Sequence, residues 1–178
     1  LVSLYLDDNQ LTTLPSEMGQ LANLVRLHLD GNQINSLPPE IGNLAKLEWL
    51  FVQTNQLTIL PPEIGNLVSL RYLYLGNNQL ASLPTEIGDL TNLGWLQLSN
   101  NQLTSIPAEI GDLGALLELR LDYNQLSDPV PAVLSSLSSL GTLFLRDNPD
   151  LTCWETEAAR DWALNLYRYS GPTQVCAP

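Results

Sequence analysis

The pattern L-x-x-L-x-L-x-x-N-Q-L-x-x-L-P-x-E-I-G-x-L-x-x recurs along this chain with a fixed period of 23 residues. Units begin at Leu1, Leu24, Leu47, Leu70, Leu93 and Leu116, and a partial seventh begins at Leu140, one residue late. A period of this length marks a solenoid, in which each unit buries its apolar face only by stacking on its neighbours. Such an architecture presents one long open surface with a short strand per repeat, which is suited to binding other molecules.

The unit from Leu70 to Asn92 shows how one coil is built. Leu70, Leu73 and Leu75 are the framework positions of a short strand. Side chains alternate across a strand, so Leu73 and Leu75 point inward while Tyr72, Tyr74 and Gly76 point outward. Asn78 then turns the chain, because an Asn side chain satisfies turn N–H and C=O groups that neighbouring coils leave open. Its repeats are Asn9, Asn32, Asn55, Asn78, Asn101, Asn124 and Asn148. They are expected to form a buried structural ladder rather than a row of ligand contacts. Leu83-Pro84-Thr85-Glu86-Ile87-Gly88 reads as a short helical turn on the back, with proline at its first position. Glu17, Glu40, Glu63, Glu86 and Glu109 then sit at the positive end of each turn, which explains that column without a metal.

These residues resemble the leucine-rich repeat (LRR) family, and the match runs from residue 1 to about 151. The L-P-x-E-I-G variant is similar to repeats of Ras-binding LRR scaffolds and of many bacterial LRR proteins. The resemblance implies an α/β leucine-rich repeat solenoid. A curved parallel β-sheet would line the concave face, short helices or 3-10 turns the convex face, and a helical cap the C-terminus. On this reading residues 1–151 are the solenoid, with seven strands, and 152–178 are the cap. Repeat six departs at Leu126-Ser127-Asp128-Pro129-Val130-Pro131, where the extra residue and shifted proline resemble the 24-residue plant-type repeat. The back of the solenoid is expected to change there.

The last segment is not a repeat. Thr152 and Glu155 have the spacing of a capping box. Trp154, Ala158, Trp162 and Leu166 recur at four-residue intervals, as on an amphipathic helix that Ser170-Gly171-Pro172 would stop. The segment resembles the cysteine-bearing caps of extracellular LRR proteins, with two cysteines instead of four. Cys153 and Cys176 stand at either end of it. That placement suggests a disulfide worth on the order of 3 kcal/mol, the alternative being two buried thiols. The chain opens directly on a repeat, with no capping segment and no signal peptide before it, and is expected to be part of a longer protein. Leu4, Leu6, Leu11, Leu14, Met18 and Leu21 would line the first coil. Its edge is expected to be covered by upstream residues or by self-association with a second molecule.

Composition narrows the function. The net charge is −12, with a single lysine, Lys46. That charge repels phosphate backbones and argues against nucleic acid or anionic membrane as partners. No run is long enough to cross a membrane, and there is no N-x-S/T sequon. No catalytic or cofactor motif is present, and the one histidine, His28, has no cysteine or second histidine to share a metal. Asp7 and Asp8, the nearest acid–base candidates, read as a solvated rim.

The outward strand positions are more informative. The third position of each unit reads Ser3, Arg26, Trp49, Tyr72, Trp95, Glu118, Thr142. The fifth reads Tyr5, His28, Phe51, Tyr74, Gln97, Arg120, Phe144, and the seventh Asp7, Asp30, Gln53, Gly76, Ser99, Asp122, Arg146. Adjacent strands lie about 4.8 Å apart, so entries along a row are neighbours. Trp49, Phe51, Tyr72, Tyr74 and Trp95 therefore form one aromatic patch, flanked by Tyr5, His28, Gln97, Arg120 and Phe144. Aromatic anchors inside a polar rim fit a protein or peptide hot spot. The expected function is a non-enzymatic recognition module, secreted or displayed at the cell surface, that binds a protein or peptide ligand on this face without metal or cofactor. Carbohydrate is the alternative ligand, and an intracellular Ras-binding-type scaffold the alternative setting. A broken row of Thr12, Thr58, Thr104, Thr13, Ser36, Ser82 and Ser105 is too irregular to support an ice-binding role.

Overall fold

The computed structural model describes residues 1–127 and 129–177. Eight parallel strands form one open sheet in chain order. They are β1 (Ser3–Tyr5), β2 (Arg26–His28), β3 (Trp49–Phe51), β4 (Tyr72–Tyr74), β5 (Trp95–Gln97), β6 (Glu118–Arg120), β7 (Thr142–Phe144) and β8 (Arg168–Ser170). Each pairs residue for residue with its neighbour, so Trp49 lies opposite Tyr72 and Phe51 opposite Tyr74. Seven strands come from the repeats. The eighth comes from the C-terminal segment, where Thr142 faces Arg168 and Phe144 faces Ser170.

Between strands the backbone closes with 3-10 turns, from Ser16–Gln20 in the first coil to Ala132–Ser136 in the sixth. Pro84 precedes its turn in an extended conformation (φ −68°, ψ 151°), so the proline sets the entry and Thr85 is the first turn residue. This differs from the expected placement of proline inside the turn. The glutamates do fall in the first turn, as at Glu63 and Glu86. The glycine that follows is a spacing device. A Cβ on Gly65 would lie 2.6 Å from the carbonyl oxygen of Glu86 in the next coil, so only glycine permits the approach.

The core is one column of apolar side chains. Leu70, Leu73, Leu75, Leu80, Ile87 and Leu90 are fully buried, and their counterparts in the coils on either side stack against them. In the first coil Leu14 and Met18 are buried, whereas Leu4, Leu6, Leu11 and Leu21 are half-buried.

The asparagine ladder joins the coils. Asn55 Oδ1 accepts from the Ile34 N–H (3.0 Å), while its Nδ2 donates to the Leu29 carbonyl of the preceding coil (2.9 Å). Asn32, Asn78, Asn101, Asn124 and Asn148 repeat this geometry and are buried. Asn9 is exposed and bonds only within its own coil. The residue before each ladder asparagine is left-handed: Asp8, Gly31, Thr54, Asn77, Asn100, Tyr123 and Asp147 all have φ between 53° and 68°. Asp, Asn and Gly tolerate that region, but a β-branched Thr and a bulky Tyr do not favour it.

The C-terminal segment corrects several expectations. Helix α1 spans Glu157–Leu164, and its N-cap is Thr156, whose Oγ1 accepts from the Ala159 N–H (3.2 Å). Thr152 and Glu155 therefore form no capping box. The Glu155 carboxylate instead accepts from the Ala132 N–H at 2.7 Å. The buried stripe of the helix is Ala159 and Ala163, with Trp162 and Leu166 packed partly against the core, while Ala158 is exposed. Trp154 lies outside the helix because it bridges Val130 on one side and Val175 on the other in an extended ladder. That ladder is how the irregular sixth repeat joins the cap. The helix ends before Asn165, and Arg168–Ser170 continues as strand rather than as a helix stop. Cys153 and Cys176 form a disulfide with Cα atoms 5.0 Å apart, which ties the two ends of this segment together.

Candidate recognition surface

The parallel register carries the outward positions into two files of rings across the open face of the sheet. In the first, the Trp49 and Tyr72 rings stack with centroids 4.1 Å apart, and Tyr72 and Trp95 stack at 4.4 Å with planes 10° from parallel. In the second, Tyr5, His28, Phe51 and Tyr74 follow one another at 4.5, 4.5 and 4.8 Å. Trp49–Phe51 (6.0 Å) and Tyr72–Tyr74 (6.5 Å) contacts join the files. Every ring between His28 and Trp95 is half-buried, so each packs against its neighbours and stays partly open to solvent. Tyr5, at the end of its file, is 62% exposed.

Both ends of the patch are polar. The Arg26 guanidinium lies 5.4 Å from the Trp49 centroid and covers the outer face of that ring. The sequence places Arg26 in this row, but a cation–π cap depends on side-chain orientation that spacing does not reveal. At the other end Gln97, which follows Tyr74 in its row, folds back to accept the Ser99 N–H (2.8 Å), and Glu118 follows Trp95. There Arg120 Nε donates to Glu118 Oε1 (2.5 Å), and the guanidinium lies 5.1 Å from the Phe144 centroid. Arg120 and Phe144 therefore sit beside the patch, not within it.

The carboxylates along the seventh row serve the backbone. Asp7 Oδ1 accepts the Asp30 N–H (3.0 Å), Asp30 Oδ1 accepts the Gln53 N–H (2.6 Å), and Asp122 Oδ1 accepts the Arg146 N–H (3.1 Å). Burial raises the pKa of Asp30 and Asp122, with these N–H bonds acting in the opposite direction. Burial, followed by the Glu118 carboxylate, raises the Tyr74 phenol. Among the described residues no group of three or more His, Cys, Asp or Glu is placed to hold a metal ion.

Tyr123 was not among the expected contact residues. It is 56% exposed and left-handed, where most other coils carry Asp, Asn or Gly. With Arg120, Asp122, Phe144, Arg146 and Ser170 it borders a cavity of about 240 Å³. The mismatch between residue type and turn position was readable in the repeat alignment once that position was known to be left-handed.

Sequence profiles of the leucine-rich repeat match residues 1–57 and 22–80, and a profile of a leucine-rich repeat region matches 59–156. The chain belongs to the leucine-rich repeat family. Among solved structures, an LRR protein of Leptospira interrogans is similar at 34% identity and a TM-score of 0.82, over 94% of this chain and 49% of that one. The LRR ectodomain of the plant membrane receptor kinase GASSHO1/SCHENGEN3 from Arabidopsis thaliana, solved in complex with Casparian strip integrity factor 2, is similar at 35% identity and a TM-score of 0.81. That match spans 99% of this chain and 22% of the ectodomain. This LRR chain is thus about half the length of one neighbour and about a fifth of the other. No curated protein matches it significantly. LRR proteins are generally non-enzymatic binding scaffolds. No helix among the described residues is long and apolar enough to cross a membrane.

Proposed function

We propose that this LRR chain is a non-enzymatic recognition module that binds a protein or peptide segment across the ring files of its concave face. The observation that carries this reading is the continuous patch of half-exposed rings from Tyr5 to Trp95. A solvent-facing aromatic surface of this size is costly unless a partner covers it. The stacking also bears on the kind of ligand. Tyr72 has a ring on each face, and Trp49 has Tyr72 on one face and Arg26 on the other. Sugar rings stack on open aromatic faces, whereas this file presents mainly edges, which suit the side chains of a polypeptide. The disulfide and the similarity to a receptor-kinase ectodomain support a secreted or surface-displayed setting over an intracellular scaffold.

Selection from a displayed random-peptide library on the immobilised chain tests the proposal. Selected peptides should bind Trp95→Ala more weakly by about 2 kcal/mol, with little change in thermal midpoint, because Trp95 ends its file and supports one neighbour only. Peptides that bind Trp95→Ala and Phe51→Ala as well as wild type would place the ligand elsewhere.

A further inference from the structure

The two ends of the Trp49–Tyr72–Trp95 stack are not equivalent. At one end the chain's own Arg26 covers Trp49. At the other, Trp95 has Tyr72 as its one ring neighbour among the described residues and borders a cavity of about 200 Å³ together with Gln53, Tyr74, Gln97, Glu118 and Arg120.

Acceptors predominate around the space. Arg120 engages Oε1 of Glu118, which leaves Oε2 for a second donor. Gln53 Nε2 donates to Asp30 Oδ2 (3.3 Å), which frees Gln53 Oε1 to accept. The Trp95 ring adds the negative face of its quadrupole, the strongest cation–π partner among the side chains. Arg120 supplies the one positive charge, but its guanidinium is drawn over Phe144, and Glu118 offsets it. Over the whole chain 19 acidic residues stand against seven basic ones.

The geometry points to a subsite for a basic side chain of the bound polypeptide, its cation over the Trp95 ring and hydrogen-bonded to Glu118. The occupant would do at Trp95 what Arg26 does at Trp49, so the stack would carry a guanidinium or ammonium at both ends. This inference rests on the proposed peptide-binding function and specifies the partner's chemistry at one position.

N-acetyl-arginine amide is the probe, read by the indole N–H signal of Trp95, which a Trp95→Phe variant assigns. It should shift that signal saturably in the millimolar range expected of one side-chain contact. N-acetyl-glutamine amide, N-acetyl-glutamate amide and methyl glucoside should not. Glu118→Gln should weaken arginine-amide binding about tenfold, as loss of a charged partner does. Arg120→Gln releases Glu118 from its internal partner and should strengthen binding severalfold. An anion site would show the opposite signs for those two variants, and a saccharide site would respond to the glucoside; either result overturns the assignment. So does the absence of any arginine-induced shift. If that happens while selected peptides still require Trp95, this subsite fails and the recognition surface stands. If the amide binds but no peptide is selected, the broader proposal fails instead.

Discussion

Replacement of Asn78 by alanine isolates what holds one coil to the next. Four bonds are lost: Oδ1 from the Leu57 N–H (2.9 Å), and Nδ2 to the carbonyls of Val52 (2.8 Å), Leu75 (3.0 Å) and Gly76 (3.4 Å), the last of which keeps its bond from the Thr54 N–H (3.0 Å). They are not equal in consequence. The Leu75 carbonyl keeps a bond from Asn101 (3.0 Å) and loses little. The Val52 carbonyl keeps only a long contact from Asn55 (3.4 Å). The Leu57 N–H loses its acceptor, and Leu57 is fully buried. An orphaned buried group costs about 1–3 kcal/mol and a weakened one less, so Asn78→Ala should destabilise by about 3 kcal/mol. Asn9→Ala is the internal control. Its two bonds, to the Leu6 and Asp7 carbonyls, are solvent-exposed, and water replaces them. That change should cost less than about 1 kcal/mol. Urea unfolding followed by circular dichroism measures both, and the denaturant slope should stay constant if only stability changes. Equal losses for the two variants would show that buried bonding in the ladder does not set its contribution.

Three further outcomes follow from local geometry. Thr54 is exposed and left-handed (φ 54°) where the next two coils carry Asn77 and Asn100, so Thr54→Asn should stabilise the chain by about 1 kcal/mol in the same unfolding assay. Reduction of Cys153–Cys176 should lower stability by about 3 kcal/mol, with hydrogen exchange rising in 152–177 and not in the first coils. Burial pushes the Tyr169 phenol up to about 12 from 10.0, against the opposing bond from Trp154. Because the folded value is the higher one, this contribution is complete below pH 10.0 and is lost as pH rises toward about 12. Tyr74 is raised as well, so tyrosinate absorbance should lose the Tyr169 part of its late titration in Tyr169→Phe and keep that of Tyr74.

The repeat made most of the solenoid legible. A position that recurs seven times, such as the ladder asparagine, averages away the ambiguity of any single residue. The strand register follows directly, because equal repeats leave no room for slippage, and with it follow the rows that bring Trp49, Tyr72 and Trp95 together. The C-terminal segment occurs once and has no such averaging. Trp154 has helical spacing to Trp162, yet its place is decided by Val130 and Val175, which are distant in sequence. That tertiary pairing shifts the helix start to Glu157 and its buried stripe to Ala159 and Ala163. The strand β8 was hidden for the same reason, since Arg168–Ser170 lacks the repeat's leucines and pairs only because β7 offers an open edge. At the candidate surface, residue types were readable but ring orientation was not. The Arg26 cap and the stacking of Tyr72 between Trp49 and Trp95 both depend on rotamers set by neighbouring coils.

The four tryptophans offer the most direct test of the central claim, since two lie on the open face and two in the C-terminal cap. Trp49 and Trp95 belong to the stacked file, whereas Trp154 and Trp162 pack on each other with centroids 6.3 Å apart. Titration with a library-selected peptide, followed by the four indole N–H signals, separates the two regions in one spectrum. The account predicts that the Trp49 and Trp95 signals move together and saturate while those of Trp154 and Trp162 stay fixed. Movement of the cap signals with the face signals unchanged would place the ligand away from the aromatic files and contradict it.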